Sequence, residues 1–458
     1  MKRLFWFFIA IIISSCSLDN KTGIWKDASN IIVENPVIKS LESSDKDKQY
    51  ENIFFKNKIY NEEKNVLNNL RIKIDTPIKI DKWIEQYATP SNNISNFYYT
   101  GNQNLISRSK KLSKSYTPKD FSNKSTIFYN GNLISYDHKG VIFIYSLKLK
   151  KKIFKYNFYK KKFKNIKKNI NLILNEHTLY VADNLGYLYA INLKNRTVVW
   201  AKNYGIPFRS NLKFANGDIF LANQDNVIFA INSNTGEKKW KFRSSLTFLK
   251  SNFRNNIVLD VVSNNLFFLN TSGELYSINY LTQKINWVLN FKNPSLTGDV
   301  DLFLSYPLIL KNNSLTASTE KAILNFNSNT SLKNWSFFTE TLLKPVVTSD
   351  YTYIISKNNL LICLENNSGE VIWSKDIYNN SKINKKIKNK FGRFNDFKIV
   401  NNKINLYSQD GYLLLFNTNS GNLINFKKIS KNGIISKIIF LNNNMLLIDK
   451  KSRLLKYN

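Results

Sequence analysis

Two cysteines and two histidines are all that these 458 residues offer for thiol, imidazole or soft-metal chemistry. Cys16 and Cys363 stand far apart, and His138 and His177 share no ligand spacing. With two histidines in all, a His-based metal site or a Ser-His-Asp triad is close to excluded. His138 lies beside the turn 137–140 and His177 just before a strand, so both read as surface residues. Asp183 and Asp225 occupy turn positions of a repeat and read as turn formers, not as acid or base groups. The sequence assigns no catalytic residue, no metal site and no cofactor.

The element that positions these residues recurs along the chain. Residues 179–200 (LYVADNLGYLYAINLKNRTVVW), 219–240 (IFLANQDNVIFAINSNTGEKKW), 266–287 (LFFLNTSGELYSINYLTQKINW) and 353–373 (YIISKNNLLICLENNSGEVIW) follow one plan. Trp200, Trp240, Trp287, Trp335 and Trp373 mark its end at intervals of 40, 47, 48 and 38 residues. Fourteen residues before the Trp stands a turn residue: Gly186, Asn226, Gly273, Asn359, and Gly411 in a later unit. Gly takes a positive φ freely and Asn tolerates it best of the rest. A second turn follows at Thr235-Gly236, Ser368-Gly369 and Ser420-Gly421. Ten before the Trp is a small residue, Ala190, Ala230, Ser277 or Cys363, which places Cys363 in a packed slot as a buried hydrophobe.

Strands of this kind, repeated every 40–50 residues or so, build propellers or solenoids. Weaker copies put Phe154 in the Trp position of a first unit, Trp335 (with Lys321 at the turn) in the fifth and Asn425 in the seventh. Residues 446–458 repeat only the first part of the pattern. The expected fold is all-β: an eight-bladed propeller closed by pairing of N- and C-terminal strands, with residues 78–85 around Trp83 supplying the missing strand.

At the N-terminus Lys2 and Arg3 precede an apolar run, residues 4–13, too short for the roughly 20 residues a bilayer span needs. The segment reads as a secretory signal. Its end, Ile13-Ser14-Ser15-Cys16, resembles the lipobox of bacterial lipoproteins, which makes Cys16 the lipidation site. The expected organisation is signal peptide 1–15, lipidated Cys16 with a polar tether over 16–70, and propeller 71–458. Lipidation of Cys16 leaves Cys363 without a disulfide partner. The net charge of +35 comes from scattered lysines, with runs at 148–152, 160–168, 382–390 and 427–431. It reads mainly as solvated loop charge, with attraction to an anionic membrane or acidic partner as the alternative. No nucleic-acid module accompanies it. Asn is abundant throughout and reads as compositional drift.

The fourteen-residue spacing with Ala-x-Asn, Thr-Gly and Trp resembles the PQQ-like repeat of quinoprotein-type propellers. Signal, lipobox, tether and eight such units together resemble the propeller lipoprotein of the outer-membrane β-barrel assembly machinery, of alphaproteobacterial type. The stretches Ile206-Pro207-Phe208-Arg209-Ser210, Gln224-Asp225-Asn226 and Ser272-Gly273-Glu274-Leu275 carry that likeness. The resemblance implies a non-catalytic scaffold on the periplasmic face of the outer membrane. Its implied partners are the POTRA domains of the central barrel-forming subunit and, further, nascent outer-membrane proteins. A family Leu-x-Leu-Arg stretch falls on Leu246, Leu249 and Lys250, and an Asp-Val-Asp stretch on Asp299 and Asp301; these are the implied partner contacts. Two other classes stay open: a lipid-anchored envelope propeller binding another protein or polysaccharide, and a PQQ-dependent dehydrogenase. The dehydrogenase family's vicinal cysteine pair is missing.

Overall fold

The computed structural model describes residues 16–18, 25–27, 58–67, 70–113, 125–159, 163–245, 255–291 and 303–458, the first two stretches as backbone only. The chain divides into two units, residues 1–55 and 56–458. In the first, β1 (Cys16–Leu18) pairs antiparallel with β2 (Trp25–Asp27), Cys16 opposite Asp27. The second holds the other described elements.

After β3 (Leu105–Arg108) come seven four-stranded units: β4–β7 in residues 127–157, β8–β11 in 170–203, β12–β15 in 213–243, β16–β19 in 256–290, β20–β23 in 309–338, β24–β27 in 346–376 and β28–β31 in 394–428. Strands β32–β34, residues 439–457, end the chain, and one short helix, α1 (Lys385–Phe391), joins blades six and seven. Each unit is an antiparallel meander, and the eighth has the order β3-β34-β33-β32. The result is an eight-bladed propeller closed by its two termini. Middle strands read as continuous apolar runs, such as Ile219-Phe220-Leu221-Ala222, because neighbouring blades cover both their faces. Outer strands alternate, as in β11, because one face meets water. The buried apolar residues accordingly form clusters between successive blades.

The repeat arithmetic becomes register. The residue at minus ten pairs with the Trp position in all seven full blades, from Ile144 with Phe154 through Ala190 with Trp200 to Leu415 with Asn425. A bulge follows that pair every time. Cys363 is fully buried opposite Trp373, and burial pushes its thiol well above the ordinary range. The indole N–H of Trp200, Trp287, Trp335 and Trp373 donates to a backbone carbonyl of the next blade. Those rings also lie against the next blade's turn: a Cβ on Gly236, Gly369 or Gly421 would sit within 2.6 Å of the preceding Trp. The turn at minus fourteen is left-handed at Gly186, Asn226, Gly273, Asn359 and Gly411, whereas Lys321 is not among the positive-φ residues.

Asparagine has a structural role that drift does not describe. Of the nineteen non-glycine residues with positive φ in the described chain, eleven are Asn. Others accept from their own turn: Asn223 Oδ1 takes Asp225 and Val227 N–H, and Asn270 Oδ1 takes Ser272 and Glu274 N–H. Asp183 does the same for Leu185 and Tyr187 at 2.8 Å, which supports its reading as a turn former. It is also fully buried, with the Tyr159 hydroxyl donating to it at 2.5 Å. Asn and Asp so placed replace the glycines this chain lacks. The two histidines depart from expectation: both are half-buried, His177 edge-on to Tyr129 and His138 with its carbonyl accepting from Lys168 N–H.

One expected strand is corrected. The ring is closed by β3, with Leu105 opposite Tyr457 and Arg108 opposite Leu455, and not by residues 78–85. The closing strand is the outermost of its blade, where Leu105 remains 44% exposed. Trp83, 5% exposed, cannot be accommodated on that edge and pairs instead with Phe128 in β4, the innermost strand of blade one.

Candidate functional site

Innermost strands β4, β8, β12, β16, β20, β24, β28 and β32 surround a central channel, each with an edge that lacks a sheet neighbour. Unpaired edge groups need partners. Residues 78–99 provide them, passing round the channel and touching all eight blades in order. Ile80 O accepts from Asn442 N–H beside β32, and Trp83 exchanges two 2.8 Å bonds with Phe128 of β4. Ile84 O accepts from Leu174 of β8 at 2.8 Å. Glu85 meets Lys213 of β12 at 2.6 Å, both side chains buried. Pro90 O and Ser91 O accept from Leu259 of β16 and Leu310 of β20 at 3.0 Å. Asn93 Nδ2 donates to Val347 O of β24 at 2.8 Å, and Phe97 N–H to Ile399 O of β28 at 2.9 Å. The segment is a plug, and sequence reading misplaced it as an edge strand.

Against the plug lies a cavity of about 190 Å³. Its charged wall residues are Lys344, Asp396, Lys398 and Lys437. Asp396 is shared by Lys398 at 3.5 Å and Lys437 at 3.9 Å, and also accepts Ile438 N–H at 2.8 Å. Lys398 rests over the Phe97 and Trp83 rings at 5.2 and 5.7 Å. Burial first, then repulsion from Lys398, brings the Lys344 amine down to about 7. A calcium-held quinone needs several oxygen ligands, carboxylates foremost. Three amines around one engaged carboxylate do not fit that ion. Among the described residues no group of three or more His, Cys, Asp or Glu side chains is placed to hold a metal.

A second region concerns the expected partner contacts. Leu246, Leu249, Lys250, Asp299 and Asp301 lie outside the described residues, as does the Cys16 side chain. Their segments, 246–254 and 292–302, connect an outer strand to the next inner strand between blades three and four and between blades four and five. The described ends of both connections converge on one turn of blade four, residues 270–274. Ser245 Oγ donates to Glu274 at 2.6 Å, and Asn270 Nδ2 donates to Ser244 Oγ at 2.8 Å. Phe291 N–H donates to Gly273 O and Phe303 N–H to Thr271 O, the two rings 5.7 Å apart. Burial alone would raise the Glu274 carboxyl, but hydrogen bonds from Ser245, Tyr276 and Asn270 outweigh it and hold the group below its ordinary value. One turn thus holds the described ends of both connections.

Comparison with known proteins follows this geometry. The family described as "Outer membrane protein assembly factor BamB", of PQQ_2 type, matches residues 164–375, blades two to six. BamB from Moraxella catarrhalis superposes with a TM-score of 0.59 at 12% identity, over 78% of this chain and 99% of that one. The quinohemoprotein alcohol dehydrogenase ADHIIG from Pseudomonas putida HK5 gives 0.57 at 11%, over 83% and 80%. That of Comamonas testosteroni gives 0.57 at 9%, over 82% and 80%. At such identities the likeness shows the fold alone. NET1-associated nuclear protein 1 of Saccharomyces cerevisiae is 27% identical over 255 residues, 49% of this chain; the match spans only 28% of that protein's length. Fold and repeat define a PQQ-repeat β-propeller. Within that class, blades two to six are similar to the BamB assembly-factor family.

Proposed function

We propose that this protein is a non-catalytic scaffold of the outer-membrane β-barrel assembly machinery, anchored by lipid at Cys16 on the periplasmic face. In this reading residues 1–15 are a cleaved signal, 16–70 a tether and 71–458 the propeller. The packed stretch 58–67 falls within that tether. There Tyr60 N–H donates to Phe338 O, and Lys64 pairs with Ser374 on the outer strand of blade six.

The observation that carries the reading is the match to the BamB assembly-factor family over blades two to six. The shared anchor at residues 270–274 supports the location of the contacts, because it links the connections that hold Leu246, Leu249, Lys250, Asp299 and Asp301. The proposed partner is the periplasmic POTRA region of the central subunit. Its test is charge reversal, Asp299→Arg with Asp301→Arg, in the full lipoprotein. Recovery of the central subunit from solubilised envelope is expected to fall at least tenfold with unchanged melting temperature. Undiminished recovery would remove these residues from the contact. Failure of the unsubstituted protein to recover that subunit would remove the assembly role itself.

A further inference from the structure

The channel cavity carries a charge arrangement that neither scaffolding nor fold stability explains. Lys344 comes from the lead into blade six, Lys398 from β28 of blade seven and Lys437 from the lead into blade eight. Three chain segments far apart in sequence thus bring ammonium groups to one wall, with Asp396 as the only acidic residue in the lining. Lys437 and Lys398 share that carboxylate. Lys344 donates to Pro345 O at 3.2 Å, and among the described residues no carboxylate lies within ion-pair reach of it. Glu85 on the plug is already engaged by Lys213. The wall therefore holds three amines against one carboxylate. Lys437 keeps 42% of its side chain accessible, so the cavity has a mouth.

A second observation points the same way. Asn92 lines the cavity and is almost fully buried, with its amide nitrogen donating to Ile257 O and Leu308 O at 3.0 Å each. Its Oδ1 has no hydrogen-bond partner. A buried acceptor left open costs about 1–3 kcal/mol unless something donates to it. The wall therefore offers ammonium donors for an anion and one acceptor for a hydroxyl.

We propose that the channel cavity binds a small hydroxylated oxyanion, a phosphate or a hydroxy-carboxylate, held by Lys344 and Lys437 with Asn92 accepting its hydroxyl. Charge-assisted hydrogen bonds of this kind are about twice as strong as neutral ones and gain further where water is excluded. Binding restores the charge balance that the wall lacks. It also draws a proton onto Lys344, whose free amine lies at about 7 and is faced by Lys398, Asp396, Lys437 and Lys213. Affinity therefore falls as pH rises through that value.

The test titrates the full lipoprotein in detergent with inorganic phosphate and, separately, with malate, by calorimetry at pH 6.0 and 8.5. Saturable binding of at least one probe is expected; for malate, whose own charge hardly changes over this range, it is weaker at pH 8.5. Phosphate alone assigns the phosphate class, and malate alone the carboxylate class. Lys344→Met and Lys437→Met should each weaken it at least tenfold, while Lys194→Met, on an exposed turn of blade two, leaves it unchanged. Melting curves verify that each variant is folded. Absence of saturable binding to both probes, or binding indifferent to both cavity substitutions, overturns the proposal. Recovery of the central assembly subunit is a separate readout, so this site and the scaffold reading fail independently.

Discussion

The contact between Glu85 and Lys213 fastens the plug to blade three and lends itself to a quantitative test. The carboxylate and ammonium meet at 2.6 Å with both side chains buried, and Thr89 O takes a second ammonium hydrogen at 2.9 Å. Burial pushes the Glu85 carboxyl up and the Lys213 amine down, each toward its neutral form, and their mutual attraction opposes this. Removing one partner leaves the other charge stranded, which costs about 3–5 kcal/mol. At 1.36 kcal/mol per tenfold, that is roughly two to four orders of magnitude in the folding equilibrium. Replacing both by apolar residues of like volume removes the stranded charge and is often neutral. We therefore expect Glu85→Leu and Lys213→Met each to lower unfolding free energy by about 3 kcal/mol or more, and the double variant to recover most of it. Denaturant unfolding measures the cycle, and hydrogen exchange at Trp83 and Phe97 locates the loss. The singles should release those amides before the ring opens. If the two losses simply add, or if exchange at the plug does not change, the pair is not what holds it.

Two further outcomes follow from the geometry. Gly369→Ala should cost about 2 kcal/mol or more. It combines the ~1–2 kcal/mol of a left-handed L-residue with a Cβ 2.6 Å from Trp335, whose indole bond to Asn366 O would be disturbed. Gly217→Ala, at similar φ with nothing within 4 Å, should show the backbone cost alone; equal losses would deny the Trp contact any weight. Burial alone would raise the Asp75 carboxyl, but the Lys311 ammonium at 2.6 Å and bonds from Ser95 and Ser349 hold it at about 2. A depressed carboxylate stabilises the fold above its ordinary value of 3.8, and that contribution disappears as pH falls through about 2. Asp75→Asn should thus cost roughly 1–2 kcal/mol at pH 7, allowing for solvent screening, and progressively less as pH falls from about 4 towards 2; an unchanged cost across that range would refute the ion pair's role.

What was legible in the sequence is what repeats locally. A Trp at fixed distance from a turn residue and a small residue specifies one hairpin and its register. Ala190 faces Trp200 as the spacing implied, and Cys363 packs where Ala or Ser stands elsewhere. The pinning residues Asp183, Asn223 and Asn270, each seventeen before a Trp, were an available signal that composition masked as excess Asn. The plug left no such signal, because residues 78–99 meet each blade through different groups at uneven spacing and so follow no period. Its Trp83 looked like a strand residue, and only the ring shows that a bulky buried ring belongs at the channel and Leu105 on the outer edge. The lysine cavity was hidden for the same reason. Lys344, Lys398 and Lys437 are ordinary members of a lysine-rich chain until eight blades close and bring three distant segments to one wall. Periodicity is a property of neighbours along the chain, whereas the channel exists only where the first blade meets the last.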